Sequence, residues 1–542
     1  MAKEIVKDNA QKGDIWYKII AIFIAACLLL GILVAIVKPT GLADYASMHT
    51  SHPYKSEHYE VNNAQLMYMT FVSYNNYYNN YYSMVGEALQ YYTGMTPGYP
   101  LSQQYYMNDK STTWLDVCLA EACSTIHEIL VLCEAALAEG MTLTAEQEAE
   151  IEDNIKAIQE YADQYNYSFK KAVYNLYGSK GITKKDIRDF TALQLLASAY
   201  AEKLTDSYEY TDEEYDKHFE DNKKDYMYAD YYSYIISADY EKDATDEEKS
   251  AAIDAAQKKA DELADRVKNG ENFLDVMYEY QLELEAKAKE EAEKDAATDT
   301  SAETTGSTSN SNTSEDEEEK TEEEKREEFD DARLTERASY TDSELGKWLF
   351  ADTPAAEAEI KVIDGTENAT VYMVVKSAYR DEYNSVNISN MYLDLDDFDN
   401  EEELKAYAEE IIKAYQSGEK TFEAFEALAK TFTKTETNEE GKEFTIDVVC
   451  GGLIEDATKA YDAEYEKDNE WLFSADRVSG DIQYFEHEDD GIYIYFYDSM
   501  GDAVWKNSVD LDLRSADYDK DLEALGETYP VTENAKAIEK IK

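Results

Sequence analysis

The chain is short of residues that interrupt regular structure and short of positive charge. Among its 542 residues, only 6 are proline and 21 are glycine. Because proline and glycine mark turns and helix ends, their scarcity predicts a mainly helical protein with some sheet. The 51 basic residues face 117 acidic residues, which gives a formal net charge of −66. A surface of this sign repels nucleic acids and anionic lipids, so a basic partner or a positively charged surface is expected.

Cysteine is also scarce, and its five positions exclude a disulfide scaffold. Cys118, Cys123 and Cys133 share one predicted helix, and their spacing fits no zinc-binding pattern, so buried thiols are expected. The acidic stretches 394–404 and 517–527 lack the glycine and the final glutamate of a calcium-binding loop. No nucleotide-binding or metalloprotease motif occurs in the chain. The sequence therefore predicts neither a metal site nor a cofactor.

One long apolar run predicts a membrane anchor. Residues 19–37 carry no charge and would span about 28 Å as a helix. Because lysines precede this run, residues 1–18 are expected in the cytoplasm and the bulk of the chain outside the cell membrane as a single-pass protein. A cleaved lipoprotein signal ending at Cys27 is the alternative, although the apolar run continues for ten residues beyond it. Residues 38–56 are predicted to form a stalk.

Capping patterns and helical periodicity predict an all-helical domain over 57–228. Thr144 with Gln147, Thr183 with Asp186, and Thr211 with Glu214 have the spacing of capping boxes. This domain is also rich in tyrosine and methionine, as in "SYNNYYNNYYSM" (73–84). Such side chains predict a surface on which some rings bind unfolded segments of varied sequence.

The remainder of the chain reads as two copies of one strand–helix…helix–strand–strand module. The first copy covers 229–380 and is interrupted by an acidic segment, 289–328, which is predicted to be disordered. The second covers 381–502. Both contain "WLF", at 348–350 and at 471–473, followed by a strand pair. A helical tail, 503–542, is expected to pack on the helical domain, and the fold class is α+β.

This layout resembles the SurA/PrsA family of extracytoplasmic foldases. The stretches "LAEGMTLTAEQEAEIEDNI" and "YGSKGITKKDIRDF" resemble the family's helical chaperone domain. The modules resemble parvulin-type peptidyl-prolyl isomerase domains, in which two histidines, one in the opening strand and one in the closing strand, surround the prolyl bond. The resemblance implies a chaperone or foldase whose partners are unfolded or secreted polypeptides.

The positions that match the family histidines carry other residues here. They are Tyr234 and Met373 in the first module, and Asn390 and Tyr493 in the second. The modules are therefore expected to bind peptides without catalysing isomerisation, and Tyr234 is expected to be a packing residue. Candidate peptide-binding residues are Tyr231, Tyr232, Trp348, Phe350, Trp471 and Phe473. Two other functions remain open: an active isomerase that uses the second module, and a surface scaffold with one fixed partner.

Overall fold

A computed structural model describes residues 45–541, except 180, 242–243, 299–320, 332–334, 399, 438–442, 462 and 488–490. The predicted anchor and the cytoplasmic segment therefore lie outside the described residues. Within the described part of the chain, no helix combines the length and the apolar character needed to cross a bilayer.

The chain has an α+β fold in which every paired strand is antiparallel. The helices are α1 (Tyr45–Thr50), α2 (Asn63–Val85), α3 (Leu89–Thr93), α4 (Trp114–Ala138), α5 (Ala145–Gln164), α6 (Phe169–Tyr177), α7 (Lys184–Asp206), α8 (Asp212–Asp221), α9 (Asp246–Lys268), α10 (Phe273–Thr298), α11 (Glu322–Asp331), α12 (Glu344–Leu349), α13 (Glu401–Gln416), α14 (Phe422–Ala429), α15 (Glu466–Leu472), α16 (Val504–Thr528) and α17 (Ala535–Ile538). The strands are β1 (Tyr54–Lys55), β2 (Glu60–Val61), β3 (Tyr228–Ser237), β4 (Glu336–Ser339), β5 (Ile360–Asp364), β6 (Asn368–Tyr379), β7 (Asn384–Asp394), β8 (Thr433–Thr437), β9 (Glu443–Asp447), β10 (Val449–Cys450), β11 (Ile454–Ala457), β12 (Asp481–His487), β13 (Gly491–Ala503) and β14 (Thr532–Glu533).

The described residues fall into two compact units. The first, here called the helical unit, comprises the residues up to Asp212 together with those from Asp510 onward. The second, the module unit, comprises Glu213–Val509 and contains both predicted modules.

Local sequence signals account for the helix starts in the helical unit. Thr144 and Thr183 each accept a hydrogen bond from the backbone three residues later, and Gln147 and Asp186 bond back to the cap, which confirms both capping boxes. Helix α6 ends at Gly178, whose φ of +60° is left-handed. A Cβ at this position would collide with the ring of Phe71, so glycine is required both by conformation and by space.

The C-terminal residues complete the helical unit. Strand β14 pairs with β1, which in turn pairs with β2, and the Asn63 side chain donates to the Ala537 carbonyl oxygen at 2.9 Å. The unit is therefore not entirely helical, because it carries this small three-stranded sheet. Residues 45–56 also differ from the expected stalk, since Met48 and Tyr54 are each only 2% exposed within the core. Their apolar side chains pack in the core of the unit, and a local sequence pattern cannot indicate these contacts.

Two histidines pair with buried carboxylates at the start of the helical unit. His49 Nε2 lies 2.9 Å from Asp186, and His58 Nδ1 lies 2.7 Å from Glu134. The hydrogen bond to Glu134 raises the pKa of His58 above its usual value. Burial alone would raise the pKa of Glu134, but hydrogen bonds from Ser56 and His58 lower it below its usual value. The pair therefore stabilises the fold most where His58 is protonated and Glu134 is ionised.

This pairing predicts a pH-dependent contribution to stability. Because the pKa of His58 is raised on folding, its contribution is complete below about pH 6.5 and is lost as the pH rises through the folded pKa. The contribution of Glu134 is lost instead as the pH falls below about 4.5. The thermal midpoint of the full chain should therefore exceed that of His58→Gln most clearly at about pH 6 and least at about pH 9. A difference that grows towards pH 9 would contradict this pairing.

The module unit contains a four-stranded sheet and a five-stranded sheet that share one order of four strands. In the first, the strands lie in the order β4-β3-β6-β5, and in the second the order is β10-β7-β13-β12, with β11 also pairing with β7. Each opening strand therefore lies beside the closing strand, and the penultimate strand is at one edge. Helices α9 and α10 cover one face of the first sheet, and α13 and α14 cover one face of the second.

The opposite face of each sheet packs against the "WLF" motif. Leu349 and Phe350, where α12 ends, join Tyr231 and Val374 in one buried cluster. Leu472, at the end of α15, joins a cluster with Ile388, Tyr495 and Tyr497 in the second module. The repeated motif thus fills the same place in both modules.

The acidic segment differs in part from its expected disorder. Helix α10 continues to Thr298, and helix α11 covers 322–331, so both ends of 289–328 are helical. Phe329 is 7% exposed and packs with Tyr234 and Tyr278 on the helix-covered face of the first sheet. Residues 299–320 lie outside the described part of the chain.

Candidate functional site

In each module, the two positions that match the family histidines share one face of the sheet. In the first module this is the face covered by helices, and in the second module it is the opposite face. In the first module, Tyr234 and Met373 belong to the face covered by α9 and α10. Tyr234 is 5% exposed, and its hydroxyl donates to Gln281 Oε1 at 2.9 Å. It is therefore a buried packing residue that is inaccessible to a peptide.

In the second module, the corresponding positions lie on the face away from α13 and α14. Tyr493 is opposite Tyr392 on β7 and Phe485 on β12, and Asn390 is opposite Tyr495. The helix-covered face is formed by the alternate residues, such as Met391 and Ile494. The equivalence between Tyr234 and Asn390 is therefore wrong, because successive strand residues point to opposite faces.

His487, the last residue of β12, lies on this face. The ring centroid of His487 is 5.1 Å from that of Tyr493 and 4.7 Å from that of Tyr465. Its Nε2 is 3.0 Å from Asp468 Oδ2, and the two side chains are only 1% and 4% exposed. The pair holds the end of β12 against α15, and both side chains are too buried to touch a substrate.

The predicted peptide-binding residues differ in solvent exposure: some are buried and others are half-buried. Phe350 and Tyr231 are 2% and 8% exposed, and they cannot contact a peptide because they form the core beneath α12. Tyr232 stacks on Phe273 at 5.8 Å, on the helix-covered face. Trp348, Trp471 and Phe473 are half-buried and lie at the ends of α12 and α15.

Phe473 lines a cleft of about 540 Å³ in the second module. The other lining residues are Lys459, Ala460, Tyr461, Glu466, Asn469 and Glu470. No group of three or more His, Cys, Asp or Glu side chains in the described ranges has the arrangement of a metal site.

A second candidate surface lies in the helical unit and is dominated by tyrosine. Seventeen large hydrophobic side chains of the described residues are exposed, and seven of these lie between residues 82 and 107. We call these seven the tyrosine platform: Tyr82, Met84, Tyr91, Tyr92, Tyr99, Tyr105 and Met107. An accumulation of this kind marks an interaction surface more strongly than scattered exposed residues do.

The platform lies in a segment that is almost free of charge. Between Asn62 and Asn108, Glu87 is the one Asp, Glu, Lys or Arg residue, although 31% of the whole chain is charged. Asparagine, glutamine, serine and glycine fill much of the remainder. This is the composition of binding surfaces that combine rigid aromatic contacts with adaptable hydrogen bonds.

Buried polar side chains fix the loop 94–113, which carries Tyr99, Tyr105 and Met107 of the platform. Gln104 is 3% exposed, its Nε2 donates to the Tyr99 carbonyl oxygen at 2.8 Å, and its Oε1 accepts from the Thr96 backbone at 2.8 Å. Trp114 Nε1 donates to the Thr93 carbonyl oxygen at 2.9 Å. These bonds satisfy polar groups in the interior of the loop and so fix its backbone.

The base of the platform is a cluster of rings around Trp114. The centroids of Tyr77, Tyr81 and Tyr106 lie 5.3, 6.2 and 4.9 Å from that of Trp114. Burial, together with the nearby Glu121, raises the pKa of Tyr77, so its hydroxyl remains protonated at neutral pH. The cluster links the last turns of α2 to the first turn of α4.

Comparison with known proteins gives a partial structural likeness. No protein-family model matches the chain, and no curated protein matches it. Among solved structures, the chain is similar to the foldase protein PrsA from Streptococcus pneumoniae str. Canada MDR_19A. The identity is 17%, the match covers 50% of this chain and 78% of that chain, and the TM-score is 0.16.

Proposed function

We propose that this protein is a chaperone that binds exposed segments of unfolded or secreted polypeptides, with the tyrosine platform as its main contact surface. The observation that carries the proposal is the concentration of exposed tyrosine and methionine side chains in a charge-poor segment whose loop is fixed by internal hydrogen bonds. In a chain of net charge −66, such a surface permits contact with apolar segments without burying a carboxylate.

The two modules serve in this proposal as non-catalytic arms. Tyr234 and Met373 are packed against helices, and the histidine nearest to Tyr493 is 1% exposed. A prolyl peptide bond would therefore meet no histidine at the positions that match the family pattern. Anchoring at the outer face of the cell membrane through residues 19–37 is part of the same proposal.

Replacing two platform tyrosines should weaken chaperone activity. We expect the full chain to suppress the aggregation of reduced, denatured lysozyme, a basic client, as measured by light scattering. Tyr91→Ser with Tyr92→Ser should raise the concentration needed for half-suppression about tenfold, because each exposed ring contributes on the order of 1 kcal/mol to contact.

The matched control is Tyr165→Ser with Tyr167→Ser. These neighbouring tyrosines of the same unit are 42% and 36% exposed and lie away from the platform segment. This control should retain the activity of the unsubstituted chain. A chain that suppresses no aggregation, or a control that loses as much as the platform variant, would overturn the proposal.

A further inference from the structure

The cleft in the second module has an aromatic wall. Tyr461 and Phe473 line it, and Tyr461 remains 46% exposed although the guanidinium of Arg337 lies 4.0 Å from its ring centroid. The Tyr461 hydroxyl donates to Asp381 at 3.0 Å, which fixes the ring. Phe473 meets the ring of Tyr383 edge-on at 5.5 Å. Both rings are therefore held in place before any ligand arrives.

The backbone beside the cleft is pinned to α15. The Ala460 N–H donates to Asn469 Oδ1 at 3.1 Å, and Asn469 Nδ2 donates to the Ala460 carbonyl oxygen at 2.5 Å. This reciprocal pair sets the separation between the segment that carries Tyr461 and the helix opposite. The width of the cleft is thus a built feature of the module.

Helix α15 lines the cleft with two carboxylates that have no cationic partner among the described residues. Glu466 and Glu470 lie one turn apart on α15, both line the cleft and both are exposed. Among the described residues, neither takes part in an ion pair. Lys459 also lines the cleft, and its Nζ lies over the rings of Tyr383 and Phe473 at 4.8 and 5.6 Å rather than in an ion pair with either glutamate.

We infer that this cleft binds a cationic side chain, arginine above all, from an extended segment of a client polypeptide. Paired carboxylates match the fork of a guanidinium, and flat rings accept its face. The inference deepens the proposed function by naming a client chemistry, and it rests on that function only for the source of the segment. Binding of a short peptide can be measured whether or not the platform suppresses aggregation.

The test uses the full chain and fluorescent, end-blocked Gly-Ser peptides with one central residue. The central residue is arginine, its neutral isostere citrulline, or glutamate, and fluorescence anisotropy reports binding. We expect the arginine peptide to bind about tenfold more tightly than the citrulline peptide. Glu466→Gln with Glu470→Gln should remove that preference.

The control removes the same charge elsewhere. Glu146 and Glu148 are exposed residues near the start of α5, and Glu146→Gln with Glu148→Gln should leave the arginine preference unchanged. Equal losses in both double variants would show a general effect of net charge and overturn the inference. Equal binding of the arginine and citrulline peptides, or preferred binding of the glutamate peptide, would also overturn it. The Tyr91→Ser and Tyr92→Ser variant should keep the arginine preference, which separates this site from the platform.

Discussion

Replacement of Arg337 by methionine is expected to lower the free energy of unfolding of the module unit by about 3–5 kcal/mol. The Arg337 side chain is 13% exposed, and its Nη2 donates to Asp381 Oδ2 at 2.5 Å. Its guanidinium lies 3.6 Å from the ring centroid of Tyr228 and 4.0 Å from that of Tyr461. Methionine would leave the Asp381 carboxylate, which is 6% exposed, without its cation.

The same contacts join the two modules. Arg337 belongs to β4 of the first module, Asp381 opens the second, and Tyr461 lies between β11 and α15. Arg337 Nη1 also donates to the Tyr379 hydroxyl oxygen at 3.2 Å, and that hydroxyl donates to Asp230 at 2.8 Å. The loss of stability in the Arg337→Met variant should therefore appear in both sheets.

Hydrogen exchange under native conditions measures this loss separately in β3 and β13. The control is Lys405→Met, which breaks an ion pair with Glu486 whose side chains are 45% and 52% exposed. Because exposed pairs contribute little, the control should exchange nearly as slowly as the unsubstituted chain. Equal acceleration in the two variants would show that the buried network contributes no more than a surface pair.

Replacement of Trp114 by alanine is expected to destabilise the helical unit by about 3–5 kcal/mol. Trp114 is 0% exposed, and it supplies both the hydrogen bond to Thr93 and the centre of the ring cluster beneath the platform. Its removal leaves a large cavity and an unpaired carbonyl oxygen. The loop 94–113 should then become accessible to protease, because its inner contacts are lost.

Denaturant-induced unfolding of the helical unit, followed by hydrogen exchange in α2 and α4, measures this effect. Tyr92→Ala is the control, since Tyr92, on α3 just before this loop, is 57% exposed. It should change the stability by no more than about 0.5 kcal/mol. A Trp114→Ala protein as stable as Tyr92→Ala would contradict the assigned role of Trp114.

Local patterns in the sequence predict many of the elements. Helices α9 (246–268) and α13 (401–416) can be recognised from the sequence, because a polar cap precedes each one and an apolar face repeats along it. The two "WLF" motifs also mark equivalent places in the fold. These features depend on neighbours in sequence, which a pattern records directly.

The sheet faces could not be predicted in the same way. Strand β3 carries Tyr231, Tyr232 and Tyr234, so aromatic residues occupy both of its faces and do not distinguish the core side. A shift of one residue exchanges the two faces. Contacts with residues far away in sequence determine which face of β3 is which. Gln281 and Phe329 lie on one side of the strand, and Phe350 lies on the other.

The tyrosine platform could be predicted only in part. The abundance of tyrosine indicates a binding surface, but it does not separate the buried Tyr68 and Tyr74 from the exposed Tyr91 and Tyr92. That separation follows from the packing of α2, whose residues 63–74 are all buried. The scarcity of charge between Asn62 and Asn108 is the sequence signal that could have located the surface.

Site-specific photocrosslinking to an unfolded client tests the central claim most directly. A photoreactive residue would replace Tyr91 or Tyr99 on the platform, and Tyr165 or Val478 elsewhere, where exposure is similar. With the full chain and reduced lysozyme, crosslinked product should form at the two platform positions and remain near background at the other two. Equal or greater yields at Tyr165 and Val478 would contradict the claim that the tyrosine platform is the client-binding surface.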